Sequence, residues 1–339
     1  MFILCSLSRK VLFFGTFVLI VLKTNQLAKA QQTLPNTKTQ RLSDAEVEKM
    51  LEDVSNWGRW GKHDQLGTLN LITTDKRRQA AGLVKDGVVI SLAHDLIKES
   101  YDSSEPFEHE ITVNEVNGEV GGAGDRYSIQ YHGFAHTHID ALNHIFWKGK
   151  LYNGFDVADV AAGKGKGSIN VVKHGIFTRA VLMDMPVLFG VQYLNGDQAM
   201  YPAHLEAWEK QAGVKVGAGD AVLINTGRWT RRVKEGPWRI MQDSAGLHVS
   251  CLKWLRDRDV AIVGSDLALD VMPSGSKKYE LPVHLGVVVQ LGSCILDCLD
   301  YRDVARECRQ RKRWEFLLTV APLRVEGGTG SPVNPLATF

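Results

Sequence analysis

Apolar positions in this chain fall into short β-branched runs separated by stretches with helical spacing. Val88–Leu92, Ala180–Met183, Ala221–Asn225, Val260–Gly264 and Phe316–Val320 read as strands. Runs of this kind, bounded by glycine, aspartate and charged residues, suit a buried pleated surface. His204–Gln211, Cys251–Arg256 and Tyr301–Arg309 lie between them and read as helices. Ser43 and Glu46 have the spacing of a capping box, and Val47, Met50, Leu51 and Val54 follow on one face. That pattern predicts a helix over 44–55, leading into a Trp/Gly-rich loop from Asn56 to Asn70. Glycine-rich stretches at 118–124, 163–167 and 327–330 read as loops. Strands interspersed with helices indicate an α/β fold. No internal repeat or break in composition divides the chain. The expectation is one domain over residues 43–339, preceded by a flexible segment over 31–42.

The first thirty residues carry a different pattern. Arg9 and Lys10 precede an apolar run, Val11–Leu22, interrupted only by Gly15 and Thr16. Ala28-Lys29-Ala30 then supplies a small-x-small cleavage pattern. This reads as a cleavable signal peptide over 1–30. The run is shorter than the ~20 residues needed to span a bilayer. A periplasmic or secreted protein follows.

Composition narrows the partners. The chain is 44% hydrophobic and 23% charged with a net charge of +2, which gives no electrostatic case for nucleic acid or a membrane surface. A small molecule is the expected partner. Beyond the leader, Cys251, Cys294, Cys298 and Cys308 remain. An exported chain permits disulfides and four cysteines allow three full pairings, among which sequence does not choose; Cys294 and Cys298 are too few for a zinc-finger site, and mostly free or partly buried thiols are expected.

The chemistry concentrates in His136-Thr137-His138-Ile139-Asp140 with His144. In an extended strand, residues i, i+2 and i+4 share a face, so His136, His138 and Asp140 would point the same way. A helical turn after Asp140 would return His144 to the same pocket. Imidazole and carboxylate together suit zinc, manganese or iron. One H-x-H alone is weak; three imidazoles and a carboxylate within nine residues say more.

The stretch His132-Gly133-Phe134-Ala135-His136-Thr137-His138-Ile139-Asp140-Ala141-Leu142-Asn143-His144 resembles the signature of the metal-dependent cyclase family, which includes bacterial kynurenine formamidases and isatin hydrolases. Three further segments extend the resemblance across roughly residues 56–337. They are Trp60–Asn70, Ala245–His248 with Gly264-Ser265-Asp266, and Ala321–Val325 with Gly327–Pro335. The resemblance implies a cyclase-like sheet or β-barrel core flanked by helices, and a homodimer or homotetramer.

The shorter formamidases show H-x3-H-x-D-x3-H. His138, Asp140 and His144 occupy its last three positions, and the first falls on Phe134, which cannot ligate. By resemblance His138 and Asp140 are metal ligands and His144 the catalytic acid/base. His136 or His132 stands in for the missing histidine, and His136 is preferred for its proximity to His138. The family also draws ligands from its C-terminal third. His284 resembles that histidine, and Asp297 sits where most members have glutamate. The cofactor implied is zinc or manganese, one ion, with a second left open. The activity implied is hydrolysis of a C–N bond in a formamide or cyclic amide by water that the metal activates. The alternatives are lactone hydrolysis, a dehydrating cyclisation, or a non-catalytic periplasmic binding protein.

Other residues stay outside the expected site. Trp57, Trp60 and Phe107 suit either an aromatic wall or core packing. Asp266 suits a cap on the next segment, and His109, between Glu108 and Glu110, suits a solvated face. His248 is a weaker pocket candidate. Ser91 and His94 lack a nucleophile elbow. Gly327–Gly330 lacks the ending of a phosphate-binding loop.

Overall fold

Ser43 opens the first helix, α1 (Asp44–Asp53), as its spacing predicts. Its hydroxyl accepts the Glu46 N–H, and the Glu46 carboxylate accepts the Ser43 N–H at 2.8 Å. Val47 and Leu51 are the buried face. The computed structural model describes residue 34 and residues 36–339 apart from 102–104 and 117. The predicted leader lies outside these residues. Thr37–Phe339 form one compact unit. Residues 37–42, expected as loose chain, are tied down: the Thr37 carbonyl accepts the Ala199 N–H, and Leu42 N–H donates to Gly275. No helix among the described residues is long and apolar enough to cross a membrane.

The helices that follow are α2 (Thr74–Ala81), α3 (Ala158–Ala161), α4 (Met185–Phe189), α5 (Pro202–Ala212), α6 (Arg228–Glu235), α7 (Cys251–Asp257), α8 (Pro282–Leu285) and α9 (Arg302–Arg311). The strands are β1 (Val89–Ser91), β2 (Glu108–Val116), β3 (Val120–Ser128), β4 (His138–Asp140), β5 (Ile176–Asp184), β6 (Ala199–Met200), β7 (Ala221–Asn225), β8 (Gly246–Leu247), β9 (Ile262–Ser265), β10 (Ile295–Asp297), β11 (Glu315–Val320), β12 (Gly330–Pro332) and β13 (Leu336–Thr338). Nine of them form one curled sheet in the order β1-β13-β11-β5-β7-β9-β10-β4-β12. The central strands β5, β7, β9 and β10 are parallel. Their continuous apolar runs reflect burial on both faces. Antiparallel strands complete both edges. Ile139, Leu182, Leu223, Ile262, Leu296, Phe316 and Leu318 share the core. Each such side chain contributes roughly 1.5–3 kcal/mol on burial. The four cysteines are buried free thiols.

Two elements depart from the sequence reading. Residues 118–124 are a turn followed by β3, which pairs only with β2 in a separate hairpin. Both strands are exposed along their length, so no buried face imposes an apolar alternation. After Asp140 there is no helix. A tight turn, with His144 N–H donating to the Ala141 carbonyl at 3.1 Å, brings His144 back.

The segment carrying the C-terminal histidine is locked from below. Helix α8 runs into a π-helical turn over Gly286–Leu291 that ends at Gly292 with φ +68°. The Trp57 indole donates to the Val289 carbonyl at 2.6 Å, and Thr68 N–H to the Gly292 carbonyl at 2.9 Å. A Cβ on Gly292 would run into the Tyr152 ring. Left-handed backbone costs a residue with a Cβ roughly 1–2 kcal/mol, and overpacking adds to it. Gly292→Ala is expected to lower unfolding free energy by about 2 kcal/mol or more in a urea titration.

Candidate metal centre

Strand β4 lies between β10 and β12, with Asp297 opposite His138 and Gly330 opposite Asp140. Alternation sends the His138 and Asp140 side chains to one face, and both are buried. His284 reaches them from α8. The backbone N–H groups of Val283 and His284, unsatisfied at a helix start, donate to the Asp270 carboxylate at 2.6 and 2.9 Å. That clamp fixes the direction in which the His284 ring leaves the helix.

The rings converge on one carboxylate. Asp140 Oδ1 lies 2.9 Å from His132 Nδ1 and 3.4 Å from His138 Nε2. Asp140 Oδ2 lies 3.0 Å from His284 Nε2 and 3.8 Å from His144 Nε2. The ligand atoms of His132, His138 and Asp140 form one close group, and those of Asp140, His144 and His284 another. Asp297 Oδ2 lies 3.8 Å from the other His284 nitrogen, Nδ1. His132 and His144 stack with centroids 3.8 Å apart and planes 2° from parallel.

Of the residues expected from the sequence, His138, Asp140, His144 and His284 meet directly, and Asp297 adjoins them through His284. His136 is buried but belongs to neither group. Its carbonyl does something else: it accepts from His138 Nδ1 at 2.8 Å. A carbonyl only accepts, so Nδ1 carries the hydrogen and the neutral ring presents a bare Nε2 towards Asp140. The strand begins at His138, so parity does not extend back to His136. His132, the second choice from the sequence, stands beside Asp140, its Nε2 bonded to the Thr329 hydroxyl at 3.0 Å. Phe134 turns away into a cluster with Tyr101, Ala135 and Trp229. Asp266 caps α6, accepting from Thr226, Gly227 and Arg228. His248 packs on Tyr201 and bonds Ser250. Sequence reasoning missed Asp270; its one signal was a carboxylate inside the apolar run from Val260 to Met272.

The donor set fits a divalent cation. His132 Nδ1 and Asp140 Oδ1 face each other without hydrogen-bond geometry, and neither has another partner; His284 Nδ1 and Asp297 Oδ1 are also buried without one. Buried polar atoms are ordinarily paired. Buried lone-pair atoms gathered as His132–His138–Asp140 and as Asp140–His144–His284 are the kind of donor set a metal requires.

The Cyclase family model matches residues 90–270, just over half of the chain. The chain belongs to the cyclase family. A crystal structure described as a novel cyclase aligns with 27% identity and a TM-score of 0.76, covering 85% of this chain and 99% of that one. Isatin hydrolase A from Labrenzia aggregata, bound to benzyl benzoate, aligns with 20% identity and a TM-score of 0.54, covering 76% and 94%. The enzyme of that name from Ralstonia solanacearum aligns with 21% identity and the same TM-score, covering 76% and 93%. Both isatin hydrolases share the fold of this chain. No curated protein matches it.

Charge in this cyclase is arranged around Asp140. Burial works against its ionisation, but attraction to His138, the nearby His132 ring and the His284 Nε2 hydrogen bond to Oδ2 outweigh burial and hold the carboxyl well below its usual range. Burial pushes Asp297 and Asp270 up. For His284, burial is outweighed by the Asp140 hydrogen bond and by Asp297, and its pKa rises. Burial pushes His144 down to about 4, so it is neutral at pH 7. Asp270 carries the His284 clamp, and loss of a helix cap costs about 0.5–2 kcal/mol. Asp270→Ala is expected to lose about that much stability in denaturant, and to bind zinc about 10–100-fold more weakly in a chelator competition, since outer partners orient ligands.

Proposed function

We propose that this cyclase is a metal-dependent hydrolase that cleaves a C–N bond in a small carbonyl compound, a formamide or a cyclic amide. The observation that carries the reading is one buried carboxylate, Asp140, ringed by His132, His138, His144 and His284. His132, His138, Asp140 and His284 would hold a zinc or manganese ion, with Asp297 beside them. A bound cation of this kind lowers the pKa of water from about 15.7 towards about 7 and polarises a carbonyl.

The chain's own residues supply the rest. His132 and His144 are the site's partly exposed side chains, at 26% and 23%, whereas those of His138, Asp140, His284 and Asp297 are shut away. The substrate therefore approaches across the stacked imidazoles. His144, neutral and at that opening, would take a proton from the attacking water and return it to the departing nitrogen. The stack on His132 holds the His144 ring plane, and the buried carboxylate below it stabilises the imidazolium as it forms. An amide nitrogen leaves poorly unless protonated, so a base that can turn acid suits a C–N bond.

Two measurements test the reading. Protein purified without chelator is expected to carry about one equivalent of zinc or manganese. His132→Ala should lose most of it. His136→Ala should keep it, because the carbonyl that orients His138 survives the substitution. Retention by the first and loss by the second would reverse the ligand assignment. His144→Ala is expected to keep its metal and to lose about 10²–10⁴-fold in kcat, read on a panel of N-formyl amides, isatin-like lactams and lactones. Turnover of lactones alone would move the reaction to a C–O bond, and metal binding with no turnover on any of them would leave a binding protein.

A further inference from the structure

Residues 163–166, Ser168 and Lys173 wall a cleft of about 540 Å³. Val171 is the one apolar side chain that lines it, and no aromatic ring does. No residue of the metal centre lines it either. It adjoins that centre from outside. The carbonyl of Gly327, which lines the cleft, accepts from Asn143 Nδ2 at 3.3 Å, and Asn143 directly precedes His144.

The cleft gathers positive charge and hydrogen-bond donors that the fold leaves unused. Lys164, Lys166 and Lys173 are exposed, and none of their ammonium groups has a partner among the described residues. Glu326, the single carboxylate of the lining, pairs with none of them. Ser168 is only 8% exposed, yet its hydroxyl makes no hydrogen bond, not even to the turn that follows it. Buried polar groups are ordinarily paired. Gln65 also lines the cleft, and its Oε1 accepts the Gly167 N–H at 3.0 Å. A backbone N–H only donates, so this bond identifies the amide oxygen and leaves the Nε2 donor free. The Asn170 amide is likewise unbonded.

We propose that this cleft binds a phosphate group, as the free ion or on a small ester. Three cationic side chains against one carboxylate leave the cleft positive, which suits an anion of nearly two charges. Ammonium groups are point charges that can surround a tetrahedral oxyanion, whereas a planar carboxylate favours the arginine fork. No arginine lines the cleft. The Ser168 hydroxyl and the Gln65 amide would donate to phosphate oxygens, and neither breaks an existing bond to do so. The cleft is larger than a phosphate ion, which leaves room for the carbon skeleton of an ester. A nucleic-acid strand would find no ring on which to stack a base.

Isothermal titration calorimetry of the purified full chain tests this, with inorganic phosphate and glycerol 3-phosphate as probes. One saturable equivalent is expected at low ionic strength, weakening as sodium chloride screens the lysines. Tighter binding of the ester assigns the cleft to phosphate esters; tighter binding of inorganic phosphate assigns it to the free ion. K166E/K173E and S168A should each weaken binding about tenfold or more, as loss of hydrogen bonds to a charged group does. Both should keep the wild-type Tm, because the groups removed have no partner in the free protein. K85E/K277E, the same charge change at exposed positions elsewhere, should keep binding. No saturable binding of either probe overturns the proposal, as does acetate binding as tightly as phosphate. Binding that survives K166E/K173E, and so lies at the metal centre or elsewhere, or binding lost to K85E/K277E, overturns it too.

Discussion

One buried carboxylate organises this molecule. Asp140 sits on a three-residue strand with a paired strand on each side, and four imidazoles close around it. Isolated, a buried carboxylate would be protonated or would unfold its surroundings. Here the imidazoles stabilise the charge, and three of them are in turn held by hydrogen bonds, while His144 stacks on His132. His138 is fixed by the His136 carbonyl, His132 by Thr329, and His284 by the Asp270 clamp at its helix start. The result is a set of ligand atoms held by backbone and side-chain hydrogen bonds, not left to free rotamers. That is the preorganisation a metal centre depends on.

How much of this the chain declares in advance follows from how each feature is encoded. The parallel core strands are legible because burial on both faces leaves an unbroken apolar run; Ala221–Asn225 is found where it was read. The capping box of α1 is legible because Ser43 and Glu46 act locally. The β2–β3 hairpin was read as charged surface and glycine-rich loop, since it buries nothing. Only pairing between its own two strands reveals it. The β-barrel-like sheet core and the family were both expected from the resemblance; the match over residues 90–270 shows the family, and the nine-stranded curled sheet shows the fold.

Within the site, it is the family resemblance that joins His138 and Asp140 to His284 and Asp297 across well over a hundred residues, and the fold sets His284 against Asp140 and Asp297. The choice between His132 and His136 was not legible. Strand parity favours the nearer residue only if the strand is long enough, and this one starts at His138. Bends at 132–136 bring the more distant histidine round instead. Asp270 was invisible for a related reason. It acts on the backbone of residues thirteen and fourteen positions later, and no local spacing announces such a bond.

The buried cysteines have a consequence for how this protein withstands its surroundings. Burial pushes the thiols of Cys294, Cys298 and Cys308 up to about 12, and Cys251 higher still. Oxidation and disulfide exchange proceed through the thiolate. With the thiols held protonated, little thiolate is present at neutral pH to attack glutathione disulfide or peroxide. Burial thus keeps the four cysteines among the described residues in the unreactive thiol form.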